Sequence, residues 1–202
     1  RQANNPLATI IALCQLADTQ FLQGKISQAK ATLLKAQYLT IGPEGQPLPL
    51  TGLVDIGSGE ILLEHDLLEE ARDHLERGCQ VTGSTWYLGC LDGKLSMARL
   101  RQAMGDISGV GEIIEEAARM ALNTDSSEWD DALVSAVAVR LALQRDDLAA
   151  AEQWWKKGGF PDFNAAIPLE DYPYHVFEYL LLTQARFLLA RGRETGKARD
   201  LK

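Results

Sequence analysis

The stretch GEILLEHDLLEEARDHLERG, residues 59–78, decides the fold. Around Asp66 it sets Gly59 seven residues before and Glu60 six before, then Leu68 two after, Ala71 five after, Leu75 nine after and Gly78 twelve after. Apolar residues at helical spacing on both sides of a tight turn, with small residues on both arms, describe two antiparallel helices in close approach. Working outward, the same spacing recurs around Gly24, Gly105 and Asp146. The aliphatic position is Ile26, Leu68, Ile107 and Leu148, and the small position is Ala29, Ala71, Val110 and Ala151. The large apolar position is Leu33, Leu75, Ile114 and Trp155, followed by Ala36, Gly78, Ala117 and Gly158. A fifth turn is placed at Gly192, and the compact residue seven before each turn is Ala17, Gly59, Ala98 and Ala185, with Val139 the exception.

A hairpin repeated in register cannot bury its apolar face alone and stacks on its neighbours. The predicted fold is therefore all-α, an α-α superhelix of about five helical hairpins. They are placed at about 6–41, 51–82, 84–122, 127–158 and 174–202, the last truncated, in a single domain over 1–202. The turns lie 42, 39, 41 and 46 residues apart, longer than the ~34 of a standard tetratricopeptide repeat. Prolines cluster at 43–49 and 161–173, where helices cannot continue, and are absent between 50 and 160. Helix-start signals precede Trp86 (Ser84, Thr85) and Trp129 (Asp125, Ser126, Ser127). No segment alternates as a strand does. The loop from Phe160 to Pro173 is the least repeat-like part, either a functional loop or a packed connector. Arg1 opens the sequence and a helix begins and stops after Gly192, so a piece of a longer protein is expected.

The chain has 202 residues, a formal net charge of −8 and 24% charged residues, which excludes non-specific attraction to nucleic acid or an anionic membrane. No window reaches the ~18 apolar residues of a membrane span, and no secretory signal opens the chain. Cys14, Cys79 and Cys90 are odd in number and lack CxxC spacing, the expected state being reduced thiols in a cytoplasmic protein.

Six residues before each turn lies the series Asp18, Glu60, Arg99, Arg140 and Arg186. If the preceding small residue packs against the second helix, this position points to the concave surface. The predicted ligand-binding groove is acidic at one end and presents guanidinium groups in the last three repeats, suited to carboxylate, phosphate or sugar hydroxyls. The plain alternative is a solvated face whose acids and arginines pair among themselves. Trp155 is expected in the core, Trp154 partly exposed, and Trp86 and Trp129 in core or cap packing. His65, His74 and His175 show neither HExxH spacing nor an acid partner in sequence, so no metal site is expected. The GSG at 57–59 and GVG at 109–111 lack a preceding strand and are read as packing or weak helix positions rather than phosphate loops. Catalytic residues and cofactors are expected to be absent.

GEILLEHDLLEEARDHLERG together with EYLLLTQARFLLARGR, residues 178–193, and the QRDDLAAAEQWW hairpin between them resembles the helical-repeat region of MalT-type, LuxR-family transcriptional activators. The resemblance covers nearly the whole chain. It implies a tetratricopeptide-like domain that senses an inducer or a regulatory protein and controls ATP-dependent self-association. It also implies a parent with an ATPase module and a helix-turn-helix module as the domain's further partners, neither module being present in these residues. Self-association is allowed by this reading, and direct nucleic-acid contact is not expected. The competing reading is a protein–protein interaction scaffold that holds a peptide or partner helix and has no part in transcription.

Overall fold

A computed structural model describes residues 5–42, 44–48, 50–82, 87–123, 128–158, 160 and 174–196, with backbone alone at 87, 88, 123, 128, 174, 175 and 195. Among these residues there are nine α-helices: α1 (Pro6–Leu22), α2 (Ile26–Leu39), α3 (Thr51–Glu64), α4 (Leu68–Thr82), α5 (Tyr87–Ala103), α6 (Ile107–Asn123), α7 (Glu128–Gln144), α8 (Leu148–Lys157) and α9 (Tyr174–Thr195). The fold is all-α. Its one non-helical pairing among the described residues is an isolated antiparallel bridge, Ile41 to Pro47, closing the loop between α2 and α3.

The four predicted turns share one geometry. Gly24, Asp66, Gly105 and Asp146 all have positive φ, between +57° and +81°. At each, the turn residue's N–H reaches back three residues and the next N–H reaches back five, as in Gly24 to Phe21 at 2.8 Å and Lys25 to Gln20 at 2.8 Å. The same pair occurs at Asp66 and Leu67, at Gly105 and Asp106, and at Asp146 and Asp147. This two-bond closure satisfies the last carbonyls of the first helix and needs a left-handed residue at its centre. Starts are equally local: Asn5 caps α1, with Pro6 at the first helical position, and Asp147 caps α8 through Ala150 N–H at 3.0 Å. Asp106 accepts from the Gly109 N–H at 2.9 Å and thereby closes the first turn of α6.

The fifth turn differs from expectation. The left-handed residue is Gly196, φ +61°, whereas Gly192 lies buried inside α9, and Ala185 is exposed rather than packed. A missing Cβ does not by itself end a helix. Gly192 faces protein, so α9 runs on for one more turn.

The chain divides into two compact units, residues 1–113 and 114–202. In the first, Ile10, Cys14, Ala17, Ala29, Leu33 and Ala36 of α1 and α2 pack with Leu50, Val54 and Ile61 around α3. Ile56, Ala71, Leu75, Met97 and Leu100 form the next core cluster. The α3–α4 pair is the tightest contact. A Cβ on Gly78 would lie 2.9 Å from the Gly52 carbonyl oxygen, and one on Gly59 would lie 2.6 Å from Leu75. In the second unit, Val139, Ala142, Ala151 and Phe187 form a core on which Trp155 stacks, 4.5 Å from Phe187 and 4.2 Å from Phe160. Gly158 completes the small-residue pattern against Ser135.

Candidate functional site

The five predicted residues fall in two groups. Asp18, Glu60 and Arg99 stand on α1, α3 and α5 of the first unit, and Arg140 and Arg186 on α7 and α9 of the second.

In the first group the Ser96 hydroxyl donates to Glu60 Oε1 at 2.5 Å, and Arg99 forms an ion pair with Glu64. Burial raises the Glu60 carboxyl above its usual range, against the Ser96 bond and the Arg99 charge, which lower it, while the Glu64 charge raises it. Asp18 accepts no hydrogen bond among the described residues. Its outer edge is open to solvent, but the protein around it strips enough water to push its pKa up to about 7, and the Glu60 charge adds to the rise. Four residues before it, burial and then the Asp18 charge push the Cys14 thiol to about 12, making it an inert core thiol. Arg99 is thus an internal counter-ion of an acidic cluster. It does not continue a row of free guanidinium groups, as the sequence pattern predicts, because Glu64 lies one turn after Glu60 on the same face.

In the second group Arg140 and Arg186 line one open cleft of about 410 Å³ together with Gln144, Asp146, Leu189 and Arg193. The guanidinium of Arg140 sits 4.2 Å from the centre of the Tyr179 ring, a cation–π contact that fixes its direction without neutralising it. Arg140, Arg186 and Arg193 have no ion pair among the described residues. With the turn at Gly196, the residue six before it is Ala190, one helical turn after Arg186, so the face is kept although the register moves. Arg193 and Tyr179 escape a reading that asks for one residue per repeat. The spacing 186, 189, 190, 193 along α9, a single helical face, is the signal that finds Arg193.

Other expectations resolve individually. Trp154 is half-buried under Lys157 Nζ at 4.2 Å, Trp155 is half-buried in the aromatic stack, and Trp129 packs against the Ala132, Ala136, Val176 and Leu180 cluster. Trp86, both proposed helix-start signals, residues 161–173 and the side chain of His175 lie outside the described residues. Cys14, Cys79 and Cys90 form no disulfide among the described residues. His74, expected to have no acid partner, does have one. Its Nδ1 lies 3.0 Å from Oδ1 of the buried Asp55, which also accepts Arg77 Nε at 3.0 Å and an Arg77 terminal nitrogen at 2.7 Å. The Asp55 bond raises the Arg77 pKa above its usual value. The partners lie 19 and 22 residues apart across the α3–α4 turn, a separation with no motif. Gly57 of the GSG run abuts Leu33, Gly109 of GVG sits beside the Asp106 cap and Gly111 faces open space. Among the described residues no helix is long and apolar enough to cross a membrane, and no three His, Cys, Asp or Glu residues are placed to hold a metal ion.

Comparison with known proteins gives one match: the family model described as the MalT-like TPR region covers residues 1–201. No curated protein and no solved structure matches.

Proposed function

The chain belongs to the MalT-like TPR family, and from that membership we propose that it is the ligand-sensing domain of a LuxR-family transcriptional regulator. It is a non-catalytic domain of a cytoplasmic protein. It binds a small-molecule inducer or regulatory partner and controls ATP-dependent activation carried out by other modules of the parent protein. The observation that carries this reading is the cleft of α7 and α9. Two guanidinium groups from successive first helices, Arg140 and Arg186, line it with Arg193, none in an ion pair among the described residues and with Asp146 the one carboxylate beside them, in a chain whose net charge is −8.

Planar forked donors suit an oxyanion or vicinal hydroxyls, and Leu143, Leu189 and Ala190 supply apolar surface for a ligand body. A ligand that bridges α7 and α9 favours whichever packing of those helices brings the arginines together. Differential affinity of this kind is how a helical-repeat domain transmits occupancy. The test is a thermal-shift screen of the chain against citrate, inorganic phosphate, glucose 6-phosphate and a neutral disaccharide at millimolar concentration. The expected result is stabilisation by at least one of them, lost in the Arg140→Gln, Arg186→Gln double variant. Equal stabilisation of chain and variant, or none by any compound, would overturn the reading.

A further inference from the structure

Helix α2 buries Ala29, Thr32, Leu33 and Ala36 toward α1 and α3. On its opposite side Leu34 and Tyr38 are 50 and 79% exposed, with Ala31 exposed at the head of the same line. The spacings of three and four residues put them in one apolar stripe, about 10 Å long at 1.5 Å per residue, and Ile41, just past the end of the helix, is 59% exposed. Lys30 lies on one edge of the stripe and Lys35 on the other. Both are exposed and neither has an ion pair among the described residues. The sequence of α2, ISQAKATLLKAQYL, holds no acid, so its formal charges are all positive in a chain of net charge −8.

The repeat does not require this stripe. Ten and fourteen residues after the turn, where hairpin one has Leu34 and Tyr38, hairpin two has Glu76 and Gln80, and hairpin three has Glu115 and Arg119. Hairpin four has Lys156 at the first of these positions. All five are exposed. At the second position hairpin four has Phe160, which lies past the end of α8 and packs half-buried against the core, so the outward sites that lie within helices are polar elsewhere and apolar only on α2. An exposed apolar line flanked by cations calls for an apolar occupant flanked by anions. A second copy pairing through the same stripe would set lysines against lysines. A stripe one side chain wide and about two turns long matches the ridge of a single helix.

We propose that the outward face of α2 docks an amphipathic helix of a partner protein, its apolar ridge on Ala31, Leu34 and Tyr38 and its flanking carboxylates on Lys30 and Lys35. This surface is independent of the cleft of α7 and α9. The probe is a labelled helical peptide of about five turns, a leucine ridge edged with Glu, titrated against the full chain by fluorescence anisotropy. A matched peptide edged with Lys is the control. The expected outcome is saturable binding of the Glu-edged peptide alone, weakened about tenfold or more by Tyr38→Glu, with the preference passing to the Lys-edged peptide in Lys30→Glu, Lys35→Glu. All three substitutions fall on exposed side chains, and circular dichroism of each variant establishes that the helix content is kept. The proposal is overturned by absence of binding at millimolar peptide, by equal binding of both peptides, or by affinity that Tyr38→Glu leaves unchanged. Sedimentation of the chain on vesicles rich in phosphatidylglycerol, or a dimer that Tyr38→Glu dissolves, would assign the stripe to a lipid surface or to a second copy and likewise overturn it.

Discussion

Asp18 combines an open carboxyl edge with a pKa of about 7, because lost hydration and the Glu60 charge both act against its ionised form. The folded state therefore holds a proton that the unfolded state, titrating near 3.8, has released. With more protons bound folded than unfolded, this group's contribution to stability is fully present below the unfolded value and is lost as pH rises to about 7. Asp18→Asn should accordingly melt above the parent at pH 8 and level with it below pH 4. After solvent screening of a carboxyl this open, the gain is on the order of 1 kcal/mol. Thermal melts across that range check both the sign and the window. The buried carboxylate of Asp55 depends on Arg77 and His74 for every hydrogen bond seen, so Arg77→Met should lower stability by about 2–3 kcal/mol in urea titrations. The Arg72–Glu69 pair, exposed on the same helix, should be worth under about 1 kcal/mol by the same measurement.

The hairpin turn is the element in which the sequence speaks most directly. Gly24, Asp66, Gly105 and Asp146 are readable because the left-handed residue and the apolar residue two places on are local requirements, met within a few residues of one another. Asp at such a site is under strain that Gly is not. Asp66→Gly and Asp146→Gly should therefore leave stability unchanged or raise it, while Gly105→Ala should lower it by about 1 kcal/mol. Inside the helices, glycine has two meanings. Gly78 lies where a Cβ would press on the Gly52 carbonyl oxygen and on Ile56, and Gly78→Ala should cost about 1–3 kcal/mol. Gly111 meets nothing within 4 Å, and Gly111→Ala should stabilise α6 by up to about 1 kcal/mol. Calorimetric melts of the two variants separate packing from propensity. The same contrast explains what was not legible. Ala185, seven residues before Gly192, makes that glycine fit the repeat pattern better than Gly196 does, and only the burial of Gly192 shows that it does not turn. Asp55 with Arg77, Arg99 with Glu64 and Arg140 over Tyr179 join residues 22, 35 and 39 apart, distances at which periodicity carries no information about the partner.

At the scale of the whole molecule, two units built from the same hairpin carry different electrostatics. The first holds the Asp18 and Glu60 carboxyls with Arg99 tied to Glu64, and the second leaves Arg140, Arg186 and Arg193 without ion pairs among the described residues. The one-residue-per-repeat series finds Asp18, Glu60, Arg99, Arg140 and Arg186, each on the first helix of its hairpin, but not Arg193. It does not find the neutralisation of Arg99, which depends on a residue outside the series. The proposal that ligand recognition belongs to α7 and α9 rests on the arginines of their cleft. Hydrogen–deuterium exchange tests it most directly, comparing the chain alone with the chain saturated by the strongest stabiliser among citrate, phosphate and glucose 6-phosphate. The account predicts slowed exchange in the last turns of α7 and α9, around Arg140 and Arg186, with α1 to α3 unchanged; protection confined to α1, α3 and α5, or absent from α7 and α9, would contradict it.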